Sequence, residues 1–163
     1  MAKIYIIGSV GSGKTTLARK LSNVLNVKCY ELDNVTWEYN PNGDDRRRTD
    51  KEINLIFKNI ISEEDWIIEN VGKNIYNQAY EEADVIIYLN LRKTTLYKRV
   101  IIRWLKRKVG LYFYPLKPNI KSLMQELSWI KSEKRNNKLE TLINYKYKLI
   151  ILDEKTLDDF KYL

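Results

Sequence analysis

The 163-residue sequence contains no histidine and a single cysteine, Cys29. These absences exclude several chemistries. A disulfide framework needs paired cysteines, a Cys/His zinc site needs several such ligands, and histidine acid–base catalysis needs an imidazole. Cys29 lies in an apolar stretch, where cysteine behaves as a small buried hydrophobe. No apolar run approaches the ~18 residues of a membrane span. The N-terminal residues also lack the basic, apolar and small-residue order of a secretory signal, so a cytoplasmic location is expected.

What is present indicates one folded domain over residues 1–163. Its 44% hydrophobic content can support a core without staples. The net charge of +8 is local. Residues 92–108 hold eight basic side chains and no acidic one, which leaves 21 basic against 21 acidic residues elsewhere. The excess is a patch, not a coat.

Along the chain, short apolar runs alternate with helical periodicity. Lys3–Ile7, Val27–Leu32, Trp66–Ile68, Val85–Leu89 and Leu149–Leu152 read as strands. Leu17, Leu21, Val24 and Leu25 mark a helix from Lys14 to Asn26. Thr49-Asp50-Lys51-Glu52 fits a capping box ahead of a second helix. A short helix is expected between the third and fourth strands. A basic helix from Thr94 to Lys108 comes after the fourth, then a loop carrying Tyr112, Phe113 and Tyr114. Another helix runs through Ile120 to Ile130, with a break around Asn136-Asn137, and a short terminal helix closes the chain. Such alternation indicates an α/β fold with a parallel sheet covered on both faces.

Gly8-Ser9-Val10-Gly11-Ser12-Gly13-Lys14-Thr15 matches G-x-x-x-x-G-K-[ST] at every fixed position. Each part has a physical role. The glycines let backbone N–H groups approach phosphate oxygens, and the following helix points its N-terminal dipole at the same anion. Lys14 is expected at the β/γ-phosphates of ATP or GTP, and the Thr15 hydroxyl at Mg²⁺, with Thr16 next along the same helix. A buried strand before the motif and an amphipathic helix after it supply the context a P-loop needs.

From these residues the chain resembles the adenylate-kinase-related group of small nucleoside and nucleotide kinases. It is most similar to the bacterial DNA topology modulation (FlaR-type) proteins. The resemblance runs through the P-loop, Leu32-Asp33-Asn34-Val35-Thr36-Trp37, Trp66-Ile67-Ile68-Glu69, Ala83-Asp84-Val85-Ile86-Ile87 and the Trp129 helix. It implies a P-loop NTPase three-layer αβα sandwich, with a five-stranded parallel sheet in the order 2-3-1-4-5 and a helical lid at about residues 92–135. One departure stands out. Adenylate kinases follow the third strand with a Gly-Phe-Pro-Arg run that grips AMP. This chain reads Glu69-Asn70-Val71-Gly72-Lys73, which argues against AMP as acceptor.

Further candidates surround the motif. Asp33 sits where the second strand would meet an acceptor hydroxyl, although Asp also favours exposed turns. Glu69 occupies the place of a Walker-B acid orienting Mg²⁺ through water, or is an ordinary strand-end carboxylate. Arg99, Arg103 and Arg107 recur at i, i+4 and i+8 on one helix face. In a chain with 20 lysines and nine arginines, that register suits the paired binding of phosphate oxygens, against the alternative of a solvated face. Arg46-Arg47-Arg48 would greet an anionic acceptor or form a solvated loop. Tyr112-Phe113-Tyr114 would stack a base or pack helices. Asp153-Glu154-Lys155 lies where the related kinases wrap the base with backbone.

The reading is an ATP- and Mg²⁺-dependent phosphotransferase acting on a small acceptor of the nucleoside or nucleotide type. Such transfer needs positioning and charge neutralisation more than an imidazole. Two rivals remain: a nucleotide-gated nucleic-acid-binding protein that uses the basic patch with Trp104 and Tyr112, and a simple ATPase switch.

Overall fold

The computed structural model describes residues 2–40, 45–111, 119–132 and 135–160. The Tyr112-Phe113-Tyr114 loop lies outside them. The elements in chain order are β1 (Lys3–Gly8), α1 (Lys14–Leu25), β2 (Cys29–Glu31), α2 (Leu32–Thr36), β3 (Trp37–Glu38), β4 (Arg46–Arg47), α3 (Asp50–Ile61) and β5 (Trp66–Asn70). Then come α4 (Gln78–Glu82), β6 (Val85–Leu89), α5 (Lys93–Lys108), α6 (Ile120–Ser132), α7 (Arg135–Ile143), β7 (Leu149–Leu152) and α8 (Glu154–Asp159).

The main sheet has five strands in the order β2-β5-β1-β6-β7, and all its pairings are parallel. Counting only these strands, the order is the expected 2-3-1-4-5. β1 lies at the centre, with Ile4 opposite Ile67 on one side and Val85 on the other. Its residues Ile4 to Ile7 are almost wholly buried, as a strand covered on both faces requires.

Alternation along the strands builds two cores. Tyr5, Ile7, Trp66, Ile68, Ile86 and Tyr88 face one side, where Ile53, Phe57 and Ile60 of α3, Ala79 and Tyr80 of α4 and Leu142 of α7 cover them. Ile4, Ile6, Ile67, Ile87 and Leu89 face the other, against Leu17, Ala18 and Leu21 of α1. This period of two, packed on helices with apolar stripes, gives the three layers. A third cluster of Leu91, Leu96, Val100 and Ile130, with Leu123 and Leu127, fastens α5 to α6. No helix among the described residues is long and apolar enough to cross a membrane.

The structure differs from the sequence expectations at four places, one being that Asn136-Asn137, read as a helix break, lie within α7. The second strand is only three residues long, because Leu32 begins a short helix whose buried Leu32 and Val35 join the core. Glu69 lies inside β5 instead of at its end, since pairing with β1 continues through Asn70. An additional antiparallel pair, β3 with β4, aligns Trp37 with Arg47. That pair also accounts for the arginine cluster. Arg46 bridges Glu38 and Glu52, and Arg48 donates to the carbonyls of Asn34, Val35 and Trp37. Cys29 is half-buried, and burial raises its thiol to about 11, so at neutral pH it is an unreactive thiol.

The capping box is complete: Thr49 accepts from the Glu52 N–H and Glu52 accepts from the Thr49 N–H. Thr49→Ala should therefore lower stability by ~1 kcal/mol in urea denaturation. Hydrogen bonds from Arg46 and Thr49 hold the Glu52 carboxyl down from 4.5 to about 2. Because the folded value lies below the unfolded one, this contribution is present above pH 4.5 and is lost as pH falls toward 2. Glu52→Gln should flatten the stability curve across that interval. An unchanged acid limb in the variant would remove Glu52 as a contributor.

Candidate phosphate-binding site

β1 delivers Gly8 to the carboxyl edge of the sheet, and the chain turns through residues 9–13 into α1. Two of the turn's backbone positions are left-handed: Gly11 at φ 77° and Gly13 at φ 97°. Side chains rarely tolerate that region. Gly11 has a second reason to be glycine, because a Cβ there would lie 2.8 Å from Val100 Cγ2. Helix α5 thus rests directly on the loop. Gly13 ends the loop as the N-cap of α1, with no side-chain cap. The first N–H groups of α1 therefore face the loop interior, the arrangement that suits an anion.

Three side chains converge at this point. Lys14 is buried and donates to the Ser9 carbonyl at 3.0 Å. Its Nζ lies 3.9 Å from Glu69 Oε2, and the Thr15 hydroxyl donates to Glu69 Oε1 at 3.1 Å. Burial pushes the Lys14 ammonium below the ordinary lysine value, opposed by the Glu69 and Asp33 carboxylates. Burial likewise raises Glu69, opposed by Lys14 and by the Thr15 hydrogen bond. Burial disfavours the charge on each, and the partner's opposite charge offsets part of that cost. An incoming polyphosphate would supply Lys14 with further negative charge.

Thr15 and Glu69 fit a magnesium ion as partial ligands. Among the described residues no cluster of three or more His, Cys, Asp or Glu side chains could hold a metal. Mg²⁺ keeps several waters and takes substrate phosphate oxygens, so one or two protein ligands such as Thr15 and Glu69 could hold it. Thr16 is exposed on the outer side of the same turn, and Ser9 and Ser12 are buried within the loop.

The arginines of α5 separate by role. Arg99 donates to the Ser12 carbonyl at 2.9 Å, so it braces the loop from the far side. Arg103 pairs with Glu126 of α6 at 2.7 Å. Arg107, one turn further on, is half-buried. Asp33 is exposed at the start of α2 and pairs with Lys73 at 3.1 Å. Asp153 caps α8, while Glu154 accepts from the Arg92 N–H and the Thr95 hydroxyl, fixing the start of α5.

Beside the loop opens a cleft of about 1160 Å³. Ser9 and Val10 of the loop line it, together with Asp33, Trp37, Arg47 and Lys73. Trp129 of α6 and Lys138 of α7 line it as well. Sequence reasoning had not assigned Lys73, Trp37, Trp129 or Lys138 to a site. The available signal was a tryptophan on the polar side of an amphipathic helix, and Trp129 is indeed 53% exposed.

The chain is similar to several known proteins. Among solved structures, a gluconokinase from Sinorhizobium meliloti 1021 is 17% identical at a TM-score of 0.49, covering 92% of this chain and 81% of its own. The shikimate kinase from Acinetobacter baumannii, in complex with shikimate, is 12% identical at a TM-score of 0.48, with coverages of 80% and 74%. No curated protein matches the sequence. A family profile described as an AAA domain matches residues 4–109, from β1 through the end of α5, and the chain therefore belongs to the AAA domain family.

Proposed function

We propose that this protein is an ATP- and Mg²⁺-dependent phosphotransferase of the nucleoside and nucleotide kinase type, a single cytoplasmic domain acting on a small acceptor. The observation that carries this reading is the meeting of Lys14, Thr15 and Glu69 at the P-loop, with Asp33 lining the cleft that Ser9 and Val10 of the loop also line. GTP would satisfy the same cradle. The finer resemblance to the FlaR-type proteins belongs to this reading as well.

In the transfer, an acceptor oxygen forms a bond to the γ-phosphorus as the bond to the β–γ bridging oxygen breaks, and ADP leaves with that electron pair. The acceptor proton passes to the Asp33 carboxylate and then to water. Asp33 is exposed enough to exchange that proton, and Lys73 holds it in place. Lys14 and the N–H groups of the loop neutralise charge on the β- and γ-phosphates. Mg²⁺, when bound, would shield the phosphate oxygens, with Thr15 and Glu69 as its protein ligands. Arg99 keeps the loop in shape through the Ser12 carbonyl, while Arg103 and Arg107 lie further along the lid helix.

Lys14→Ala should weaken ATP binding by at least about tenfold, the scale of a lost charge-assisted hydrogen bond. Titration calorimetry checks this, and undiminished affinity would overturn the assignment. Asp33→Asn should retain ATP affinity yet slow transfer by ~10²-fold. If ATP binding falls instead and turnover per bound ATP holds, Asp33 serves the metal or the fold.

The nucleic-acid alternative predicts differently. Arg99 and Arg103 both engage protein partners, which withdraws them from a DNA-facing surface. DNA affinity should accordingly be near ~10⁻⁴–10⁻⁶ M at physiological salt and fall steeply as salt rises. Submicromolar binding that survives about 200 mM salt and responds to Mg-ATP would favour the alternative.

A further inference from the structure

Helix α5 carries apolar residues on two opposite faces. Leu96 and Val100 are buried on the inner one, where Val100 meets Gly11 of the phosphate loop. At ~100° per residue, Ile101, Ile102, Leu105 and the C-cap Val109 fall on the other side, within an arc of about 100°. That face is open: Ile101 and Ile102 are 40% exposed, Leu105 48% and Val109 66%. Exposure rises along the helix, and beyond it Leu111 reaches 74%, so the far end stands clear of the fold. At Gly110 a Cβ would meet nothing within 4 Å apart from its chain neighbours. Scattered apolar residues on a surface need no explanation, but a stripe of four on one helix face does.

The charge around the stripe has one sign. Lys98 continues its line toward the start of the helix, and Lys106 and Lys108 flank it at roughly 80° to either side. All three lysines are exposed, and residues 92–108 contain no carboxylate. The arginines of the helix are turned elsewhere, Arg99 to the Ser12 carbonyl and Arg103 to Glu126. The outward face is therefore aliphatic along its middle and cationic at its margins.

This pairing selects among possible covers. Single-stranded nucleic acid binds through cations and stacked aromatic rings, and the stripe has no ring to offer. The nearby Trp104 is half-buried, and its indole N–H donates to the Asn119 carbonyl. A second copy docked through a two-fold axis would bring the lysine margins against each other with no carboxylate on the helix between them. An anionic lipid surface satisfies both features. Aliphatic side chains gain from the acyl boundary, while lysines extend along it and keep their ammonium groups among the head-group phosphates.

We infer that the outward face of α5 docks reversibly on an anionic lipid surface, with Ile102, Leu105 and Val109 at the acyl boundary and Lys98, Lys106 and Lys108 on the head groups. This contact concerns where the protein sits and holds whatever reaction the phosphate loop serves.

The test sediments the intact protein with vesicles of phosphatidylcholine alone, or of phosphatidylcholine mixed with phosphatidylglycerol. The mixed vesicles should carry the protein down and the neutral ones should not. The double change Ile102→Ser and Leu105→Ser leaves the charge untouched and should weaken binding at least about tenfold. Changing Lys98, Lys106 and Lys108 together to Gln should weaken it by a similar factor. Vesicles with brominated acyl chains should quench the tryptophan fluorescence of the native protein, since Trp104 adjoins Leu105, and should quench the serine variant less. All these positions are exposed, and unchanged melting temperatures would show that the variants remain folded. Equal binding to neutral and mixed vesicles, or none to either, overturns the inference. So does full binding by the serine variant, which would reduce the contact to charge alone. A native dimer in sedimentation velocity that the serine variant dissolves would assign the face to a second copy instead. DNA that displaces the vesicles, with affinity unaffected by the serine changes, would assign it to nucleic acid.

Discussion

The contact between Gly11 and Val100 sets the terms for most of this molecule. Because Gly11 has no Cβ, the phosphate loop can lie against α5, and because Val100 is fully buried, α5 cannot move without disturbing the loop. Arg99 adds a hydrogen bond to the Ser12 carbonyl on the same side. α5 in turn carries α6 through Leu96, Val100 and Ile130, and through the Arg103–Glu126 pair. A loop shaped for phosphate thereby governs where the far wall of the cleft stands. Overpacking at such a point typically costs 1–3 kcal/mol and would spread through that chain of contacts.

Electrostatics at the loop follow from burial. Lys14 and Glu69 are both withdrawn from water, and each offsets part of the cost of burying the other. The pair is weak evidence for stability, since two desolvated ions seldom outperform well-packed apolar side chains. Its value lies in position: it keeps an ammonium group, a carboxylate and the Thr15 hydroxyl within reach of one another before any ligand arrives. Such preorganisation reduces the rearrangement that binding would otherwise require.

Much of the fold was legible in the sequence because its signals are local and repetitive. The apolar run Val85–Leu89 and the period of α1 each map onto a single element. The strand order came from resemblance, since periodicity alone does not say which strands pair. Less legible were features set by long-range contact. Leu32 reads as the end of a strand by composition, but the pocket between α3 and β5 draws it into a helix. The β3–β4 pair is two residues long on each side, too short for alternation to register. At the site, the loop and its lysine were identifiable from spacing. Lys138 was not, because the sequence contains 20 lysines and only the fold brings this one over Gly72.

The cleft's two walls differ in how they are tied to the rest of the protein. The near wall grows out of sheet strands buried on both faces. The far wall hangs from a handful of anchors, chiefly Ile130 and Leu142, with Leu123, Leu127 and Leu139 partly buried beside them. Substitutions between those anchors fall on exposed helix surface, where most changes alter stability by less than ~0.5 kcal/mol. Drift in a lineage can therefore rewrite the far wall repeatedly while the sheet and its loop stay as they are. Descendants of one such ancestor would keep a common engine and diverge in what they feed it.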